Sequence, residues 1–465
     1  MDASEAAFAP IHEQAAEVRS GRLSPVEIVE RALDRIERHD GKLQAFTEVY
    51  AEEARFAAEA AERDIRAGRY LGPLHGFPIA VKDLVDIEGR ITTGGSKAWA
   101  DRVSPETATL VRRLVAAGMI VIGKTRTVEF AYGGWGTNEH MGTPWNPWDL
   151  ETHRVPGGSS SGTGVAVGAG LTPAGIGTDT GGSVRIPAAF CGTVGLKVTV
   201  GRISVHGVLP LSHSLDTPGP LARSVEDAAF VYEAVKGADL ADPSTLSAPV
   251  DDSLATLKRG IAGMRIATMA AAERDAIEPD ILDAYDASLR VLEALDARLE
   301  PVPLPYRFTE YRDMAGAIIG AEAYAKLAHL ADDDAAPLDS AVRLRLRAGG
   351  MITAKEYIEA LDAQRRAKAA FAEAMDGFSA LVLPTLPMAA IPVADVDQSR
   401  TPADITRMAN VLGLCALALP NGLTRGGLPS SLQVVGRPFD EATVLRIGWA
   451  YEQSTDWHTR RPPGL

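Results

Sequence analysis

The chain has 465 residues, 46% of them apolar and 23% charged, with two cysteines and a net charge of −14 at pH 7. So acidic a balance argues against a surface that displaces counterions from nucleic acid or docks on anionic lipid. Two cysteines exclude a disulfide framework and fit a reducing compartment.

The opening Met1-Asp2-Ala3-Ser4-Glu5 lacks the basic stretch and apolar run of a secretion signal. The pattern predicts helices over Ile11 to Glu37, broken near Gly21 to Pro25, with Ser24 as N-cap and Pro25 at the first helical position. Ala51 to Ala67 reads as a helix stopped by Gly68, and Ile79-Ala80-Val81 as a short buried strand running into Lys82. An amphipathic helix is expected over Glu106 to Ala117, followed by a strand over Met119 to Ile122. Strand and helix signals alternate to about residue 235, which predicts an α/β core around one sheet. Residues 275–375 read as mainly helical, Ala380 to Pro384 and Leu432 to Val435 as strands, and Glu441 to Glu452 as a closing helix. Ala238 to Asp252 and Asp332-Asp333-Asp334 read as solvated loops, the latter not as a metal site. The uncharged runs Val155 to Thr178 and Met408 to Thr424 are too interrupted by Gly, Ser and Pro to span a membrane. A cytoplasmic location is therefore expected.

Three segments carry candidate chemistry. Gly157-Gly158-Ser159-Ser160-Ser161-Gly162 and Gly177-Thr178-Asp179-Thr180-Gly181-Gly182-Ser183-Val184-Arg185 each place a serine on a bare glycine turn. Glycine lets the backbone approach a substrate and aim its N–H groups at one point. Upstream, Lys82 follows the apolar run Ile79-Ala80-Val81. Lysine is one of the few side chains that can serve as a base without histidine, because burial disfavours the ammonium and brings its pKa from about 10.4 toward about 7–8. Cys191 and Cys415 sit among small or apolar neighbours and read as core residues.

Two further motifs are deceptive. Gly118 to Thr125 matches the P-loop spacing, but its bulky middle residues Met119 to Ile122 suit a buried strand, not an open phosphate cradle. Gly158-Ser159-Ser160-Ser161-Gly162 matches the nucleophile-elbow spacing with Ser160 at its centre. It lacks the preceding strand, and the nearby His213 and Asp216 are spaced for local turn bonding.

Over almost its whole length the chain resembles the amidase signature family. The resemblance lies in Gly76-x-Pro78-x-x-x-Lys82-Asp83, in the two serine turns, in Ser214-Leu215-Asp216-x-x-Gly219-Pro220, in Arg223 to Asp227, in Leu383-Pro384-Thr385 and in Gly427 to Gln433. It implies an α/β fold: one large domain over residues 1–465 with a central mixed β-sheet covered by helices. Within it a catalytic core over 70–235 and a helical region over 275–375 beside the substrate pocket are expected. The resemblance implies Ser183 as nucleophile, Ser159 as a bridging serine after a cis peptide, and Lys82 as base, without metal or cofactor. The N–H groups of Thr180, Gly181, Gly182 and Ser183 stand where an oxyanion would form. Ser160, Thr178, Asp179 and Arg185 would brace the two turns, and Gly133, Gly134 and Trp135 would line the substrate. Trp145 and Trp148 read equally as pocket or core, and Arg343, Arg345 and Arg347 as a solvated helix face, with capture of a carboxylate as the alternative. The chain departs from the family at Ser161, where glycine is usual.

The implied reaction is cleavage of a C–N bond in aryl or alkyl amides, extending to carbamates such as urethanes and to esters, through an acyl-enzyme. A free-standing hydrolase of small molecules is expected, without nucleic acid or membrane; a homodimer would be unsurprising. The alternative is a glutamine-hydrolysing component of a tRNA-dependent amidotransferase, its A chain, which passes ammonia to a partner; a more remote one is a nucleotide binder at Gly118 to Thr125.

Overall fold

A computed structural model describes residues 7–465; the acidic opening Met1 to Glu5 lies outside the described residues. The strands are β1 (Phe46–Val49), β2 (Pro78–Lys82), β3 (Ile120–Thr125), β4 (Ala174–Thr178), β5 (Val194–Lys197), β6 (Pro218–Ala222), β7 (Arg265–Met269), β8 (Arg298–Val302), β9 (Ala380–Pro384), β10 (Ala416–Leu423) and β11 (Pro429–Val435). They form one sheet in the order β1-β3-β2-β4-β6-β5-β10-β11-β9-β7-β8. The pairs β3–β2–β4 and β9–β7–β8 are parallel and the centre is antiparallel, so the sheet is mixed. Strands β2, β4, β6, β9 and β11 are buried along their whole length. That burial on both faces explains why they read as apolar or small-residue runs without alternation.

Local signals set most boundaries. Ser24 caps the helix Pro25–Leu43: its Oγ accepts from the Val26 N–H at 3.0 Å, and Glu27 answers the Ser24 N–H. The helices Ala51–Arg66 and Glu441–Glu452 fall where the sequence places them. The P-loop-like segment Gly118 to Thr125 is a turn followed by β3, with Lys124 buried on Asp83 at 3.3 Å and Thr92 at 2.7 Å. That lysine has no freedom to meet phosphate. The helical expectation over 275–375 holds for Pro279–Ala294, Phe308–Ala331, Ser340–Gly350 and Ala354–Ala374, but β8 interrupts it. As an edge strand, β8 is exposed at Arg298, Glu300 and Pro301 and so lacks an apolar run. The run Met408 to Thr424 divides into the helix Arg407–Leu412, a left-handed turn at Gly413, and β10. No described helix is long and apolar enough to cross a membrane.

The topology brings three functional segments together. β2 and β4 are parallel neighbours, with Val81 opposite Ile176, so Lys82 and Thr178 end at one edge of the sheet. The turn after β4 carries Asp179 to Ser183, and the helix Ser161–Gly168 begins just beyond Ser159. Its Gly162 lies so close to the start of β1 that a Cβ there would meet the Ala45 carbonyl at 2.2 Å.

Candidate active site

Lys82 is fully buried, and its hydrogen bonds go only to hydroxyls. Its Nζ lies 2.7 Å from Ser159 Oγ and 2.8 Å from Thr178 Oγ1. Burial pulls its pKa down to about 7, against the opposing charges of Asp216 and Asp179. Asp216, read from the sequence in a family motif and as a local turn partner, accepts the Leu211 and Ser212 N–H groups at 2.9 and 3.0 Å and is also the foremost counter-charge to the lysine. Burial pushes its pKa up to about 6, opposed by the Thr180 hydroxyl, the Ser212 and Leu211 N–H groups and Lys82. His213, its supposed elbow partner, instead sits exposed beside Glu322.

The two serine turns are held against each other through the main chain. The Ser160 N–H donates to the Ser183 carbonyl at 3.3 Å, and the Ser159 carbonyl accepts from Thr127 Oγ1 at 2.9 Å and the Val128 N–H at 3.1 Å. The Gly158–Ser159 peptide is cis. No hydrogen bond links the Ser159 and Ser183 hydroxyls among the described residues; of the two serines, Ser183 opens onto the cavity. Ser160 Oγ donates to the Thr178 carbonyl at 3.3 Å and accepts from the Thr178 N–H at 3.2 Å. This tether occupies the hydroxyl that an elbow nucleophile would need free. Ser161, the departure from the family pattern, turns its hydroxyl toward the Arg126 carbonyl at 3.4 Å, away from Lys82.

Asp179 and Arg185 form a fully buried pair at 3.0 Å. Burial alone would raise the Asp179 pKa, but the charge and hydrogen bonds of Arg185, with Lys197 and Asn410, hold it well below the usual carboxylate range. The same carboxylate accepts the Gly182 N–H at 2.8 Å and the Val184 N–H at 3.2 Å. Of the four N–H groups expected at the oxyanion position, Gly182 is therefore engaged inside the protein. Those of Thr180, Gly181 and Ser183 have no acceptor among the described residues.

A cavity of about 840 Å³ opens over Ser183. Gly133, Gly134 and Trp135 line it, and the Trp135 indole N–H donates to the Arg400 carbonyl at 3.0 Å. Trp145 and Trp148 do not line it: Trp148 is buried on the Cys191 carbonyl at 2.9 Å, and Trp145 stacks on His153. The arginines of Ser340–Gly350 do not share one solvated face. Arg343 caps carbonyls at the end of Phe308–Ala331 and Arg347 pairs with Asp334, but Arg345 reaches the cavity. Sequence reasoning missed Arg312, Ile319, Met388 and Arg407 on the cavity wall, where Tyr132 joins its neighbours Gly133 to Trp135. The missed residues come from distant segments with no motif of their own. Cys191 is buried, donates toward the Pro156 carbonyl at 3.3 Å, and has its pKa pushed up by burial. No group of residues suited to a metal ion occurs among the described residues.

Comparison with known proteins agrees with this architecture. The A chain of the glutamyl-tRNA(Gln) amidotransferase of Chloroflexus aggregans is 38% identical over 473 residues, covering 95% of this chain and 96% of that one. An s-triazine catabolic enzyme, described from a vestigial protein complex with inhibitor bound, superposes with a TM-score of 0.90 at 32% identity, covering 96% of this chain and 98% of the other. The corresponding amidotransferase chain of Thermotoga maritima superposes with a TM-score of 0.81 at 31% identity, covering 96% and 95% of the two chains. These relatives correct the expectation of a free-standing hydrolase without nucleic acid. Relatives matching nearly the full length of the chain are subunits of an enzyme named for a tRNA. The charge of −14 describes this chain alone and carries no information on what an assembly binds. The Amidase family model matches residues 27–445, a span that takes in every strand of the sheet, and the chain belongs to the amidase signature family.

Proposed function

We propose that this chain hydrolyses a small carboxamide as the glutaminase component of an amidotransferase-type assembly, releasing ammonia to a partner. The observation that carries the reading is Lys82: a fully buried amine, its pKa near 7, held 2.7 Å from one serine hydroxyl. Near neutral pH much of it is an uncharged amine whose lone pair accepts the Ser159 proton. Ser159, which can donate and accept at once, then takes the proton of Ser183 as the two hydroxyls, not hydrogen-bonded in the free protein, close up in the substrate complex. The Ser183 oxygen attacks the amide carbon, and the N–H groups of Thr180, Gly181 and Ser183 meet the developing oxyanion, each worth about 10²–10³-fold in rate. The proton returns along the same relay to the leaving nitrogen, giving an acyl-enzyme on Ser183 and free ammonia, and water completes the cycle. Asp179 serves the turn, not the chemistry: with Arg185 it fixes the backbone from which the three donors project.

A second reading is favoured by the closer superposition on the s-triazine structure: a hydrolase of a small molecule other than glutamine, working within a complex. Turnover of glutamine, aryl amides, aliphatic amides, carbamates and ureas, measured with and without co-purified partner chains, separates the two. Glutamine hydrolysis stimulated by partners supports the first; turnover of the other substrates with glutamine untouched overturns it.

A further inference from the structure

We propose that Arg407 selects substrates by charge, receiving a carboxylate borne by the amide a few bonds from the carbonyl under attack. The inference rests on the reading of Ser183 as nucleophile and names the substrate class of that site.

Four arginines line the cavity; Arg400 is exposed to solvent, and of the other three two are already occupied. Arg312 pairs with Asp313 at 3.0 Å and Asp404 at 3.5 Å. Arg345 donates to the Tyr132 carbonyl at 2.8 Å and to the carbonyl and side chain of Gln398 at 2.9 and 2.7 Å, so it clamps two wall segments together. Arg407 has no carboxylate within 4.0 Å among the described residues. Its Nε is buried without an acceptor, and its one hydrogen bond, Nη1 to the Arg312 carbonyl, is stretched to 3.5 Å. A guanidinium stays charged in a protein, and this one is half-buried in the cavity wall with no carboxylate paired to it. Burial lowers its pKa, opposed by Tyr132 and Asp404, and Arg312 and Arg345 add smaller repulsions.

The position is built and points at the chemistry. Thr406 Oγ1 donates to the Gly181 carbonyl at 2.8 Å, and Arg185 donates to the Thr406 carbonyl at 2.8 Å, so the backbone leading into Arg407 is pinned to the Ser183 turn. A Cβ on Gly181 would lie 3.5 Å from Arg407 Nε. Gly181 has none, and nothing of its own separates that guanidinium from the N–H groups expected to meet the oxyanion. Of the acidic residues on the wall, only Asp404 acts on Arg407, at a separation beyond ion-pair contact. Glu278, Asp313, Asp395 and Asp397 are exposed at the mouth, and Asp404 is turned to Arg312. A substrate carboxylate supplies the counter-charge that the fold withholds.

The test compares glutaramate with pentanamide, which share a chain and an amide and differ only in a terminal carboxylate or methyl. The wild-type protein is expected to prefer glutaramate, and in Arg407→Met the ratio of kcat/KM for the two should fall by at least about 30-fold, as expected when one partner of a desolvated charge pair is lost. Labelling by a fluorophosphonate, mapped to Ser183, shows that the nucleophile is assembled in the variant. A ratio that stays within about threefold of wild type in a labelled variant overturns the role of Arg407 and leaves the reading of Ser183 standing. Labelling of the wild type at another residue overturns that reading instead. Should Arg407→Met fail to fold, protection of the wild-type protein from labelling decides the matter: glutaramate must protect at lower concentration than pentanamide, and equal protection overturns the proposal.

Discussion

Replacing Lys82 by methionine tests the central claim through stability as well as activity. The lysine is fully buried and its folded pKa is about 7, against 10.5 for the free side chain. Between those values the unfolded chain holds one proton more than the folded one. Wild-type stability therefore gains about 1.4 kcal/mol per pH unit from this group as pH rises from about 7 toward about 10. Below pH 7 the cost of burying the amine is constant at about 5 kcal/mol, the free energy of a shift from 10.5 to about 7. Methionine carries no such cost, and it also removes the hydrogen bonds to Ser159 and Thr178, whose loss does not vary with pH in this range. The difference in stability between wild type and Lys82→Met must thus slope with pH whatever its absolute sign. For a chain of 465 residues the unfolding entropy makes about 1 kcal/mol equivalent to about 1 °C in Tm. Thermal unfolding of both proteins in matched buffers at pH 7, 8, 9 and 10 should show the wild type gaining about 4 °C on the variant across the series. A difference in Tm that stays flat would mean that Lys82 is an ordinary ammonium in the fold, and the base would have to be sought elsewhere.

The rate of amide hydrolysis should rise with pH along a single ionisation near 7, as Lys82 gives up its proton, and a rate that falls through that range contradicts a lysine base. Ser183→Ala should lose at least about 10⁴-fold in kcat with an unchanged Tm; Ser160→Ala should still label with a fluorophosphonate, whereas loss of labelling there would revive the elbow assignment. Gly182→Ala should lower Tm by several degrees and reduce activity. Gly182 holds φ of +129° and an added Cβ would meet Thr406 Oγ1 at 2.3 Å, so a variant as stable and active as wild type would show that the turn is not fixed as described.

Strand β2 with Lys82 at its end, the two glycine–serine turns and the helix capped at Ser24 were legible because each depends on a few adjacent residues. An apolar run, a bare glycine next to a hydroxyl, and a Ser-Pro pair before a helix carry their meaning locally. The mixed sheet followed from the family resemblance, whereas its strand order did not. Strand β8 was missed because an edge strand needs no apolar run, and β10 because a glycine turn hid the junction between helix and strand.

The chain by itself thus decided which side chains could do chemistry: an amine behind apolar residues and two hydroxyls on open turns. Only the folded molecule decided what surrounds them. It turned the Gly182 N–H inward to Asp179, set Asp216 as the charge facing Lys82, and laid Arg407 along the Ser183 turn. Thr406 meets Gly181 across 225 residues of sequence, a contact that exists because β10 lies beside β5 in the sheet. Pairings over such separations are fixed by how whole elements pack, and no local pattern encodes them.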